Sequence, residues 1–147
     1  MNTLIYVSPE GYCFWSQSDG LYRGGCRGPW TAAEAIWYWE ATRPQAAEAI
    51  RRAEVGEAPQ VDASALERLA LGGGTWPASV PVPRLRWLHL GGSAWPESVQ
   101  VPALESLSLN GGTWPESVPV PALKTLYLNG SAWPESVQVP ADAYIIR

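Results

Sequence analysis

Among 147 residues there are only two cysteines, one histidine, one methionine and one phenylalanine, and ten Lys and Arg stand against fourteen Asp and Glu. Each shortage closes a class of function. Cys13 and Cys26 are too few to staple a secreted mini-scaffold and fit a reducing compartment, and the sequence leaves open whether they pair. A lone His89, far along the chain from both cysteines, offers no cluster of ligands, so neither a metal nor another cofactor is expected. With a net charge of −4 and no basic cluster larger than Arg51 with Arg52 or Arg84 with Arg86, direct nucleic-acid binding is disfavoured. Acidity suits instead a protein partner with a basic surface, including one whose basic groove normally holds nucleic acid. No apolar run is long enough to cross a membrane, and no basic-apolar-small leader opens the chain, so no membrane association is expected. A cytoplasmic site, in a bacterial host cell, is expected, with secretion through an uncleaved signal as the open alternative.

What the chain has in quantity is a repeat. Leucines at Leu66, Leu85, Leu104 and Leu123 and tryptophans at Trp76, Trp95, Trp114 and Trp133 recur every 19 residues without an insertion. That period is too short for a helical hairpin and fits one coil of a solenoid: a strand, a turn, an extended return and a second turn. The Leu-x-x-Leu-x-Leu run of Leu104, Leu107 and Leu109 predicts a strand stacked in parallel on its neighbours. Gly and Asn at 72–74, 91–92, 110–112 and 129–130 predict the turn, and Pro77, Pro96, Pro115 and Pro134 predict a return limb that is neither sheet nor long helix. The tryptophans are expected inside the coil.

Leu-x-x-Leu-x-Leu followed by Val118-Pro119-Val120-Pro121 resembles the short leucine-rich repeats of secreted bacterial effectors, whose units end in a similar Leu-Pro-x-Leu-Pro. The likeness covers about half the chain, with a unit one residue shorter and Trp where that family prefers Leu. It implies a solenoid with a helical cap. The ubiquitin-ligase activity of some such effectors needs a catalytic cysteine in a separate domain, and is not expected of repeats that contain none.

Two-coil units are themselves duplicated. Residues 66–103 match 104–141 except at nine positions: Arg68/Ser106, Ala70/Ser108, Gly72/Asn110, Ala78/Glu116, Arg84/Ala122, Arg86/Lys124, Trp87/Thr125, His89/Tyr127 and Gly91/Asn129. Six of the nine fall on the outward positions of the strand or just after it, which marks that face as the candidate binding surface. Its columns read Arg68, Trp87, Ser106, Thr125, Tyr144 and Ala70, His89, Ser108, Tyr127, Ile146. Exposed Trp, Tyr and Arg dominate interface energies, so Arg68, Trp87, His89, Tyr127 and Tyr144 are candidate partner-binding residues. Glu97, Glu116 and Glu135 form a like-charged column that serves either solubility or a basic partner, while Glu67, Arg86, Glu105 and Lys124 alternate in sign and read as structural.

Before the repeats, residues 3–8 and 12–16 predict a hairpin about Pro9-Glu10-Gly11, and residues 21–23 a third short strand after Ser18-Asp19-Gly20. Thr31 with Glu34 predicts a capping box for a helix over 32–41, and Thr42 a cap for a second helix that carries Ala47, Ile50 and Val55 and closes at Gly56. Trp30 and Trp37 are expected to dock on the small sheet or the first coil. The fold class is therefore α+β: a hairpin and two-helix cap over residues 1–61 on a leucine-rich-repeat-like solenoid over 62–147, four coils plus a terminal strand, with a parallel sheet of four to five strands. That last strand, with Asp142 in a leucine position, is an open edge fit for a weak homodimer.

No catalytic residue is expected. A hydrolase pairing His89 with Ser106 or Ser108 is the enzymatic alternative, but no nucleophile elbow and no adjacent orienting carboxylate accompany it, and the Gly72-Gly73-Gly74 and Gly24-Gly25 runs read as turns rather than phosphate sites. The reading is a non-enzymatic protein-binding module that acts by covering a surface. Its small size, acidity and empty chemistry resemble those of phage anti-CRISPR inhibitors, which implies a basic nucleic-acid-binding groove of a bacterial defence complex as target; a secreted effector bound to a host protein is the other reading.

Overall fold

A computed structural model describes residues 3–8, 11, 13–17, 20–23, 31–57, 59, 61–72 and 75–147. Expectations that rest on Pro9, Glu10, Tyr12, Ser18, Asp19, residues 24–28 with Cys26, Trp30, Gly73 and Gly74 lie outside the described residues. The chain divides into two compact units, Met1–Asp62 and Ala63–Arg147, each with its own sheet.

In the first unit β1 (Thr3–Val7), β2 (Cys13–Gln17) and β3 (Gly20–Arg23) form an antiparallel sheet in chain order, with a register shift between Leu4 and Tyr6. Helix α1 (Ala32–Trp39) begins with the capping box read from the sequence. The Thr31 hydroxyl accepts from the Glu34 amide at 3.2 Å and donates to the Glu34 carboxylate at 3.1 Å. Helix α2 (Pro44–Glu54) is capped at Arg43, not Thr42, and without a side-chain bond. Arginine has no side-chain acceptor to offer the first-turn amides, and proline at the first helical position presets φ and removes one unsatisfied N–H, so the helix starts without a side-chain cap. Gly56, at φ +85°, ends it by letting the Glu57 amide reach back to the Arg52 carbonyl at 3.0 Å.

The core of this unit is Ile5, Phe14, Ala35, Trp39, Ala46 and Ile50, with the Phe14 and Trp39 rings edge to face at 4.4 Å. Trp37 is not part of it: the ring is 79% exposed. Helix α1 turns Ala32, Ala35, Ile36 and Trp39 inward at spacings of three and four, which leaves Trp37 on the opposite side. Val55 is exposed for a related reason, since α2 has already ended when it arrives.

The second unit is a solenoid of about four turns. Strands β4 (Arg68–Gly72), β5 (Trp87–Gly91), β6 (Ser106–Asn110), β7 (Thr125–Tyr127) and β8 (Tyr144–Ile146) form one parallel sheet in chain order. Each residue pairs with the one nineteen positions on, as in Leu69 with Leu88, Leu88 with Leu107 and Leu107 with Leu126. The inward columns are buried: the three leucines and the first valine in all four coils, and the second valine and the tryptophan in the first three. Each such aliphatic side chain contributes about 1.5–3 kcal/mol by leaving water.

The return limb holds no strand and no helix, as proline requires, and it is more sharply folded than an extended segment. Two reverse turns shape it. The Val80 amide bonds to the Pro77 carbonyl at 3.3 Å, and the Leu85 amide to the Val82 carbonyl at 3.2 Å, with Pro83 in the position where its fixed φ favours a turn. Hydroxyls of Ser98 and Ser136 knit this limb to the preceding coil by donating to the carbonyls of Ala78 and Glu116, at 3.3 and 3.2 Å. In the last coil the second turn slips one residue, closing from Ala143 to Pro140, because Asp142 replaces the inward leucine and faces solvent.

Candidate protein-binding faces

The outward columns of the sheet run as the sequence places them: Arg68 opposite Trp87, Trp87 opposite Ser106, Ser106 opposite Thr125 and Thr125 opposite Tyr144, with Ala70, His89, Ser108, Tyr127 and Ile146 beside them. At the first end three of the candidates meet. The His89 ring stacks on Trp87 with centroids 6.2 Å apart and planes 16° from parallel, and the Arg68 guanidinium carbon lies 6.0 Å from the Trp87 ring centroid. Stacking half-buries Trp87 and His89, while Arg68 is exposed. Tyr127 and Tyr144 stand apart from this cluster, Tyr144 lying three strands along the stack from Trp87, roughly 14 Å at the usual strand spacing. Together with Ile145 and Ile146 they leave a large apolar area exposed at β8, which among the described residues pairs with β7 alone. Among the described residues no hydrogen bond joins His89 to Ser106 or Ser108; Ser108 Oγ accepts from Asn129 Nδ2 at 3.5 Å.

Glu97, Glu116 and Glu135 belong to a different surface. Each follows the proline of a Trp-Pro-Glu-Ser-Val turn on the return limb, is exposed, and makes no ion pair among the described residues. The first coil lacks the charge, with Ala78 in its place. The other charged column neutralises itself: Glu105 is bonded by Arg86 Nε on one side and by Lys124 Nζ at 2.6 Å on the other. Hydrogen bonds from Arg86 and then Lys124 hold the Glu105 carboxyl at about 2, below its ordinary 4.5, and the same contact raises Arg86.

No family model, curated protein or solved structure matches this chain.

Behind the sheet the tryptophans form a ladder. Trp76, Trp95, Trp114 and Trp133 stack with centroids 6.0–6.1 Å apart and planes 9–14° from parallel. Each indole N–H donates to a carbonyl four residues on, those of Val80, Val99, Val118 and Val137, at 2.9–3.1 Å. Inward placement was legible in the sequence, but the hydrogen bonds were not. Only the return-limb turns bring that carbonyl back to the N–H edge of the ring, and the residue types do not fix the geometry of those turns.

A second feature escaped the sequence altogether: a groove of about 730 Å³ in the first unit, between β1 and α2, lined by Ile5, Tyr6, Pro44, Gln45 and Ala49 together with the charged Glu48, Arg52 and Glu57. Its signal, small residues on one side of α2 opposite an aromatic on β1, appears only once the helix is phased. Among the described residues no group of three or more His, Cys, Asp or Glu is placed to hold a metal ion, and no helix is long and apolar enough to cross a membrane. Cys13 is a buried free thiol, and burial pushes it up to about 12.

Proposed function

We propose that this protein is a non-enzymatic binding module whose short leucine-rich-repeat solenoid works by covering part of a partner's surface. The observation that carries the reading is the contrast between its two charged columns. One is internally paired through Glu105, whereas Glu97, Glu116 and Glu135 stand exposed in a row with no ion pair among the described residues. Unpaired like charges at adjacent coils cost stability rather than add it, so their use lies outside the chain. A partner with a basic surface gains from them both in encounter rate and in register.

Within that class the target is a basic nucleic-acid-binding groove of a bacterial defence complex, occupied in the bacterial cytoplasm in the manner of an anti-CRISPR inhibitor. The carboxylate row would compete with phosphates for the groove's cations. A secreted effector bound to a host protein is the second reading, favoured by the aromatic residues of the sheet face rather than by the glutamates. Capture from the native cell identifies the partner and separates these two. The charge mechanism is tested by changing Glu97, Glu116 and Glu135 together to Gln. The triple variant keeps its circular dichroism but associates about tenfold more slowly at low salt, with a flatter salt dependence. Equal association rates for the two proteins would return the row to a role in solubility.

A further inference from the structure

The sheet face differs in sign from the rest of the molecule. Its ten outward positions hold no Asp or Glu, although the chain carries fourteen, and its one fixed charge is Arg68. Arg51, Arg52, Arg86 and Lys124 each sit against a glutamate, yet Arg68 makes no ion pair among the described residues and lies over the Trp87 ring instead. A guanidinium over an aromatic face keeps its N–H edge free, and that edge matches a carboxylate with two parallel hydrogen bonds. Trp87 is itself braced by the stacked His89, so the guanidinium rests on a support fixed from the other direction along the strand. Ser106 lies opposite Trp87 and Ser108 opposite His89 on the next strand, which places two hydroxyl donors on the same outward face.

Scaffold needs do not explain this group. The duplicated coils put Ser106, Ser108, Thr125 and Tyr127 at the positions of Arg68, Ala70, Trp87 and His89, and β6 and β7 pair in the same register as β4 and β5. Coils stack without the cation, the indole or the imidazole.

We propose that the outward face of β4–β6 recognises an acidic protein segment, with Arg68 clasping a carboxylate, Trp87 and His89 holding that arginine in place, and Ser106 and Ser108 donating beside it. This surface is independent of the glutamate row. Nucleic acid does not suit it, because tight binding there needs several cations tracking successive phosphates and this face offers one, whereas a peptide segment has to seat only one carboxylate on Arg68. A free anion gains too little from a flat face that encloses nothing. A carboxylate borne on a chain suits it, since the neighbouring strands supply further contact along the segment.

Hexaglutamate is the probe, titrated into the intact protein at physiological ionic strength, where repulsion from the net charge is screened beyond about 8 Å. Indole N–H and Arg Nε–H resonances give the readout, with Trp87 assigned from Trp87→Phe. Hexaglutamate should move the Trp87 and Arg68 signals and leave the ladder indoles in place. Arg68→Gln should weaken binding at least tenfold, and Arg68→Lys, which keeps the charge but not the paired geometry, should fall between. The exposed position of Arg68 leaves both variants folded, which unchanged ladder indole shifts verify. Undiminished binding to Arg68→Gln, or no perturbation of Trp87, overturns the proposal. So does tighter binding of inorganic phosphate, hexalysine or a uridine oligonucleotide than of hexaglutamate at the same resonances.

Discussion

Tryptophan serves two purposes in one repeat, and single substitutions should separate them. Trp114 is buried, stacked on both sides and bonded to the Val118 carbonyl. Its change to Ala should cost about 3–5 kcal/mol, as loss of a core aromatic does. Trp87 is half-buried on the outward face, and its change to Ala should leave the melting temperature nearly unaltered. Equal drops for the two variants in thermal unfolding would refute the division into inward and outward rings. Glu105 makes a prediction about pH. Its carboxyl is held at about 2 against an ordinary 4.5, so the stability it contributes is fully present above 4.5 and is lost as pH falls towards 2. Glu105→Gln should therefore melt below the wild type near neutrality and converge with it in acid. Curves that stay parallel through that range would contradict the ion triad. At this scale the sequence was a partial guide. It phases the repeat tryptophans by their register with Leu, but three consecutive rings at 37–39 do not show which one faces the core until the packing of α1 selects Trp39 and leaves Trp37 exposed.

Elements show where the sequence speaks plainly. Parallel strands every nineteen residues follow from the leucine spacing alone, and so does the capping box of α1. Proline excluded sheet and helix from the return limb without disclosing its turns, because the same residues accept several turn geometries, and the Arg43 cap of α2 was hidden by a better-looking Thr42. The two-coil duplication has an element-scale counterpart. Gly112 alternates in its column with Ser93 and Ser131, and a Cβ at Gly112 would come within 2.8 Å of the Ser93 carbonyl oxygen and 2.9 Å of Leu90 Cβ. Ser131 instead accepts from the Gly111 amide at 3.0 Å and donates to the Leu109 carbonyl at 3.4 Å. Small and larger residues thus interlock between coils. Gly112→Ala should destabilise by about 1–3 kcal/mol, as overpacking does. Gly130→Ala meets open space but keeps a φ of +80°, and should cost about 1–2 kcal/mol from backbone conformation. Denaturant midpoints check both, and a neutral Gly112→Ala would mean that the coils can part without penalty.

For the whole molecule, a solenoid's stability is the sum of its coils and of the contacts between neighbours. The sequence conveyed the α+β order of sheet, helices and solenoid because each piece has its own period. The binding surfaces were legible as columns but not as groups: only the structure shows that Arg68, Trp87 and His89 touch, while Tyr127 and Tyr144 lie along the stack and the glutamates on another side of the coil. Strand β8 leaves Tyr144 68% and Ile145 40% exposed, and its outer backbone groups face no strand of the sheet. Such an edge favours a weak symmetric dimer by strand pairing. Sedimentation should show self-association that rises with concentration and disappears when the chain is ended at Ala141, and a wild type that stays monomeric throughout would leave the edge without that role.

The indole ladder has a consequence of an optical kind. Four chromophores held with their planes nearly parallel and about 6 Å apart do not absorb independently. Their transition dipoles couple, and the coupling exists only while successive coils remain in register. The near-ultraviolet dichroism of this protein is thereby a built-in gauge of its stacking, in which the unwinding of one end of the solenoid would register as the loss of a single member of the coupled set.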